Sequence, residues 1–211
     1  MGEEILKLNN IKKSYGQHII FDSFNLVVNE GDYIVITGES GCGKTTLLNM
    51  IGMIDRPDSG EIYIMGKKNP HFDSKTGRML LRDKIAYIFQ NYGLVDDETV
   101  KYNLKIKGYY SHKTKAKDML DALYKVGLDE SYINRRIYEL SGGEQQRVAL
   151  AGLYLKDFKI ILADEPTGSL DEKNKRVIMN ILDSMNKSGK TIILVTHDKE
   201  IRENAEKVIE L

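Results

Sequence analysis

A chain of 211 residues with 41% apolar content suffices for one large domain, or for one domain carrying an insertion. Its 31 basic and 31 acidic residues cancel, which removes the electrostatic footprint of a nucleic-acid binder. The single cysteine, Cys42, excludes an internal disulfide and fits a reducing compartment.

The opening "MGEEILKLNN" lacks a basic-then-apolar signal pattern, and Leu6 stands where a myristoylation signal wants Ser or Thr. Every apolar run falls far short of the roughly 18–20 residues of a membrane-crossing helix. The expectation is a soluble cytoplasmic protein that reaches a membrane only through a partner. In the first forty residues, "ILKLNNIKKSYG" and "HIIFDSFNLVV" alternate well enough for antiparallel strands.

Four β-branched runs follow: "YIVIT" (Tyr33–Thr37), "IAYIF" (Ile85–Phe89), "IILA" (Ile160–Ala163) and "TIILV" (Thr191–Val195). Continuous apolar runs of this length read as parallel strands buried on both faces, hence an α/β protein. Each leads directly into polar residues: the loop from Gly38, Gln90, Asp164-Glu165 and Thr196-His197. Ligands of open α/β sheets bind outside the carboxyl ends of the strands, so these four clusters should converge.

The first cluster is "GESGCGKT", Gly38–Thr45, a GxxxxGK[ST] pattern between a strand and the helix "TTLLNMI". Gly38, Glu39, Ser40, Gly41, Cys42 and Gly43, with Lys44, Thr45 and Thr46 at the helix start, form a candidate phosphate cradle. Backbone N–H groups and the helix N-terminus favour an anion there. Lys44 would reach the β- and γ-phosphates of a nucleotide, and Thr45 would ligate Mg²⁺. Asp164 at its strand end can hold the metal through water, and Glu165 is placed to orient or deprotonate an attacking water. The alternative is that the two acids merely cap the next helix. His197 reads as a γ-phosphate contact. Gln90 is a weaker site residue, because many strands end in a polar side chain.

From Glu98 to Lys156 the pattern turns helical. "HKTKAKDMLDALYKVG" spaces Met119, Leu120, Leu123 and Val126 on one face and stops at Gly127. A helical insertion at 95–156 would split a nucleotide-binding core made of 1–94 and 157–211. Lys101 to Lys117 holds six lysines and no acid, a solvated face or a surface turned to a membrane subunit and anionic lipid.

"LSGGEQQ" reads as a capping box, Ser141 with Glu144, but that leaves two glycines that a cap does not need. Glycines let a backbone approach an anion, and the chain's lysine is spent in the first loop. The turn should then serve a nucleotide held by another copy.

Together "GESGCGKT", Gln90, "LSGGEQQ", "ILADEP", "SLD" (Ser169–Asp171) and His197 resemble the ATP-binding cassette of ABC transporters, across essentially the whole chain. The resemblance implies a P-loop NTPase fold with a mixed, mainly parallel sheet, and a head-to-tail homodimer holding two ATPs. Each ATP would lie between one phosphate loop and the partner's Ser141, Gly142, Gly143 turn. It also implies Gln146 and Asp171 at the nucleotide, Tyr15 stacked on adenine, Gln90 as a metal ligand, and a separate transmembrane permease. Tyr15 alone reads equally as an ordinary strand aromatic.

"ILADEPTGSLD" and "YIFQNYGLVDDETV" look most like the macrolide-export, lipoprotein-release and bacteriocin-export cassettes, the last being nearest because "LVDDETV" lacks a proline. Gly152-Leu153 departs from that group's usual Arg-Ala. A cassette serving a non-transport complex, such as cell division, would share every motif. Chromosome-type ATPases and translation factors are disfavoured by the short interval, the single cassette and the neutral charge.

Overall fold

A computed structural model of the chain describes residues 2–168 and 170–211; Ser169 of the "SLD" motif lies outside the described residues. The N-terminal alternation folds as β1 (Glu4–Tyr15) and β2 (His18–Asn29), an antiparallel pair. β4 (Ser59–Ile64) and β5 (Lys67–Lys68) extend it to a sheet of order β2-β1-β4-β5.

A second sheet is parallel throughout. It contains β3 (Tyr33–Thr37), β6 (Ile85–Ile88), β7 (Ile160–Asp164), β8 (Thr191–Val195) and β9 (Lys207–Glu210), in the order β6-β7-β8-β3-β9. The antiparallel strands thus gather apart from the parallel ones.

Three of the four apolar runs, β7, β8 and β3, are central strands with both faces covered, and the fourth, β6, is an edge. Ile160 and Leu162 of β7, Ile193 and Val195 of β8, and Ile34 and Ile36 of β3 face the antiparallel sheet and α1 (Lys44–Ile51). Ile161, Ala163, Ile192, Leu194 and Val35 face the helices on the other side. Fully burying one such side chain contributes about 1.5–3 kcal/mol. β6 stops at Ile88, where Phe89 leaves the sheet and stacks on Tyr87 at 4.2 Å.

β9 was not expected: it is an edge strand of mostly exposed residues, "KVIE", with no apolar run to announce it. β4 likewise carries only Ile62 and Ile64 buried.

Between β6 and β7 lie α3 (Val100–Gly108), α4 (Ala116–Lys125) and α5 (Gly142–Tyr154). α4 buries Met119, Ala122 and Leu123, while Leu120 is only half-buried. Its end is a Schellman turn: Leu128 N–H donates to Leu123 O at 3.0 Å, and Gly127 N–H donates to Tyr124 O at 3.1 Å. Gly127 has φ +72°, which only glycine adopts cheaply. α2 (Lys75–Asp83), α6 (Glu172–Lys187) and α7 (Lys199–Glu203) complete the α-helices of the described residues.

A Cβ at Gly127 would meet nothing nearer than Arg147 at 3.8 Å, so Gly127→Ala tests backbone strain alone. It should cost about 1 kcal/mol, or about 2–4 °C in Tm for a chain this long. Thermal unfolding beside a nucleotide-binding titration checks this; the titration should be unchanged.

Candidate nucleotide site

The carboxyl ends of β6, β7, β8 and β3 stand side by side and deliver Gln90, Asp164-Glu165, Thr196-His197 and the Gly38 loop to one edge. The register sets them level: Asp164 pairs with Val195, which pairs with Ile36.

The phosphate loop bends through three left-handed glycines before α1 begins. Gly43, the N-cap with φ 103°, has no room for a side chain: a Cβ would stand 2.3 Å from Ile20 and 3.0 Å from Phe21. The antiparallel strands therefore brace the loop from behind. Lys44 folds back into it, its Nζ donating to Gly38 O at 3.0 Å and Glu39 O at 2.8 Å, and lying 3.8 Å from Cys42 Sγ. Glu39, Ser40 and Gly41 are exposed.

Asp164 is 7% exposed and accepts a hydrogen bond from Thr45 Oγ1 at 3.3 Å. Burial raises its pKa, the Thr45 bond lowers it, and the neighbouring Glu165 raises it further. A hydroxyl and a carboxylate at the phosphate loop suit Mg²⁺, which takes few protein oxygens and completes its shell with phosphate and water. Among the described residues no trio of His, Cys, Asp or Glu forms a metal cage.

Glu165 adopts φ +46°, a left-handed conformation that costs a non-glycine residue about 1–3 kcal/mol. That bend turns its carboxylate to β8, where it accepts from Thr196 Oγ1 at 3.2 Å and lies 2.8 Å from His197 Nδ1. His197 is 70% exposed at its side chain, leaving the opposite edge of the ring toward solvent. Gln90 lies exposed just past β6.

Tyr15 is 53% exposed, and its hydroxyl donates to Asp55 Oδ2 at 2.6 Å. Lys13 holds Asp55 at 2.8 Å and sits 4.9 Å over the Tyr15 ring. The Asp55 hydrogen bond and burial raise the phenol's pKa, with a smaller opposing effect from the Thr46 hydroxyl.

The Ser141 turn is the capping box its spacing implied. Ser141 N–H donates to Glu144 Oε2 at 2.8 Å, and Glu144 N–H to Ser141 Oγ at 3.4 Å. Ser141 and Gly142 are exposed, with Tyr92 of the Gln90 loop and Leu170 beside Gly142. Gly143 is buried, and a Cβ on it would run into the Asn174 amide, so its missing side chain serves packing within the chain.

Gln146 is corrected outright. It is 0% exposed, with neither amide atom hydrogen-bonded, and offers no surface to a nucleotide. Asp171 is exposed but engaged as the α6 N-cap, accepting from Asn174 N–H at 2.8 Å. Gly152 also finds its reason: a Cβ there would lie 2.9 Å from Lys107 Cγ, so the glycine makes room for that lysine's stem.

A braced phosphate loop, an acid pair at the adjacent strand end and a second capped turn define a P-loop nucleoside-triphosphatase cassette. Residues 21–168 match the family model described as ABC transporter. The chain is 38% identical, over 99% of its length, to the macrolide export ATP-binding/permease protein MacB of Bartonella quintana, spanning 33% of that protein. It is 39% identical to the ABC transporter ATP-binding protein MJ0796 of Methanocaldococcus jannaschii, over 98% of this chain and 93% of that one. The dimeric structure of MJ0796 superposes with a TM-score of 0.87 at 36% identity, covering 98% of this chain and 94% of that one. A second dimeric structure of MJ0796, a post-hydrolysis state bound to ADP and Pi, gives 0.86 with the same identity and coverage. The chain belongs to the ABC transporter family, as its ATP-hydrolysing cassette.

Asp164 carries a testable penalty. Its folded pKa lies above its unfolded value, so the penalty is absent below the unfolded pKa and complete once pH exceeds the folded one. Asp164→Asn should therefore raise the Tm of the nucleotide-free protein at pH 7, with the gain vanishing in acid. A lower Tm at pH 7 would refute it.

Proposed function

We propose that this cassette binds Mg-ATP, closes head-to-tail on a second copy of itself, hydrolyses ATP in that state, and thereby drives a membrane-spanning permease. The observation that carries this reading is the meeting of four groups at one sheet edge: the phosphate loop, Asp164, Glu165 and His197. Lys44 leaves its loop carbonyls for the β- and γ-phosphates. Tyr15, its hydroxyl tied to Asp55, offers a ring face to adenine, a stacking contact of about 1–3 kcal/mol. Thr45 and Asp164, with Gln90, would hold Mg²⁺, which when bound neutralises charge developing on the phosphates.

Glu165 accepts the proton of the attacking water. Thr196 and His197 fix its carboxylate in place for that transfer. If His197 keeps its Nδ1–H on Glu165, contact with the γ-phosphate through Nε2 requires the doubly protonated ring.

Ser141 and Gly142 face solvent, and their helix start suits the γ-phosphate of the partner's nucleotide. The dimers formed by MJ0796 support this arrangement.

We assign the permease to the side of α2 and α3, where a cavity of about 750 Å³ is lined by Arg78, Arg82, Lys84, Lys107 and Lys156 against Asp83 and Asp157. Burial, with repulsion from Lys107, lowers the Lys156 pKa to about 8. Tyr102, Ile106, Tyr109 and Tyr110 stand exposed on the same helix and its end. Residues 95–156 would carry nucleotide state from Gln90 to this surface, with 1–94 and 157–211 as the nucleotide-binding core. No helix among the described residues is long and apolar enough to cross a membrane; in this reading the cassette sits at the cytoplasmic face of the permease. The relative named for macrolide export supports an export reading, for a macrolide, lipoprotein, peptide or bacteriocin.

Glu165→Gln should retain ATP binding, lose hydrolysis by at least a hundredfold, and accumulate an ATP-bound dimer on gel filtration. Hydrolysis at the wild-type rate would remove Glu165 as the base.

A further inference from the structure

One amide joins the Glu165 turn to the Ser141 turn. After Glu165 the chain makes two tight turns, Gly168 N–H to Glu165 O at 3.2 Å and Leu170 N–H to Thr167 O at 3.1 Å, and then reaches Asp171. Asp171 caps α6, and Asn174 bonds it twice: the backbone N–H to Oδ1 at 2.8 Å and the side-chain Nδ2 to Oδ2 at 2.8 Å. The same amide lies on the bare Cα of Gly143. A Cβ built there would stand 2.6 Å from Asn174 Cγ, 2.7 Å from Oδ1 and 2.9 Å from Nδ2. No other residue type at 143 leaves the amide where it is. A cap of α6 needs only the backbone bond, so the side-chain bond and the glycine opposite it are surplus to helix formation.

We propose that Asn174 is a positioning residue for ATP hydrolysis, holding the Ser141 turn in fixed register with the segment that carries Glu165. The inference rests on the trans reading of that turn. Under it, Ser141 and Gly142 touch the partner's nucleotide while Glu165 works on the chain's own. Asn174 therefore stands between the two sites, and closure at one alters the geometry at the other through a single packed contact. It touches neither nucleotide. Its loss should leave the affinity of the isolated monomer for ATP unchanged and act on the closed dimer.

Two variants separate the bond from the packing. Asn174→Ala removes both, whereas Asn174→Asp keeps the volume over Gly143 but sets a carboxylate against Asp171. Both should leave monomer ATP affinity within about twofold of wild type. Both should lower kcat by about tenfold or more, the size of one charge-assisted hydrogen bond, and reduce the Hill coefficient for ATP. In the Glu165→Gln background both should weaken the ATP-driven dimer by a similar factor. Wild-type kcat in Asn174→Asp would overturn the proposal, and so would a loss of monomer affinity. A fall in Tm with unchanged kcat per folded molecule would reduce Asn174 to a structural role, also overturning it. If the Glu165→Gln parent itself forms no dimer on ATP, the trans reading fails rather than the role of Asn174.

Discussion

The parallel pairing of β3, β7 and β8, each buried on both faces, is the constraint on which the rest of the molecule depends. Alternate residues of β7 point into two different cores, so the strand can neither slip nor rotate without exposing one of them. Its last residue, Asp164, is therefore delivered beside Thr45 as a consequence of apolar packing one and two residues earlier. Function begins where burial ends. Glu165, the next residue, makes the last bond to β8, its N–H donating to Val195 O at 3.0 Å, and takes a left-handed conformation there.

The site draws on that rigidity in two ways. Asp164 is held partly out of water, which raises its pKa and suits it to meet a cation rather than to sit alone. Glu165 keeps its carboxylate aimed by Thr196 and His197 just past β8, the second of which is itself exposed. The antiparallel sheet contributes less chemistry but holds the loop: Ile20 and Phe21 leave Gly43 no space for a side chain. Tyr15 stands at the end of the same sheet, anchored through Asp55 and Lys13.

Legibility followed burial. Strands covered on both faces announced themselves as continuous apolar runs and were placed to within a residue. β9, a four-residue and mostly exposed edge with a charge at each end, carried no such mark, and β4 buried too few residues to stand out. The structure brings Lys44, Thr45, Asp164, Glu165 and His197 to one end of the sheet because each follows directly on a strand or turn whose spacing the pattern encodes. Gln146 was misread because adjacency to a motif says nothing of helix phase: it lies on the buried face shared by Gly143 and Leu150. Lys107 looked like one of six solvated lysines, yet its stem packs on Gly152 and burial lowers its pKa. Both depend on contacts between helices far apart in sequence, which local pattern does not encode.

The central claim is that a complete site needs two chains, and mixing two inactive variants tests it most directly. Lys44→Ala removes the phosphate-loop half of both sites in a homodimer, and Ser141→Arg blocks the second-turn half of both. With each variant silent alone, a heterodimer assembled in trans holds one doubly damaged site and one intact site. Random mixing leaves about a quarter of all sites intact. The account predicts partial recovery of ATP hydrolysis on mixing, with heterodimer formation and ATP-dependent closure followed in the same samples. Heterodimers that form but neither close on ATP nor hydrolyse it would contradict it.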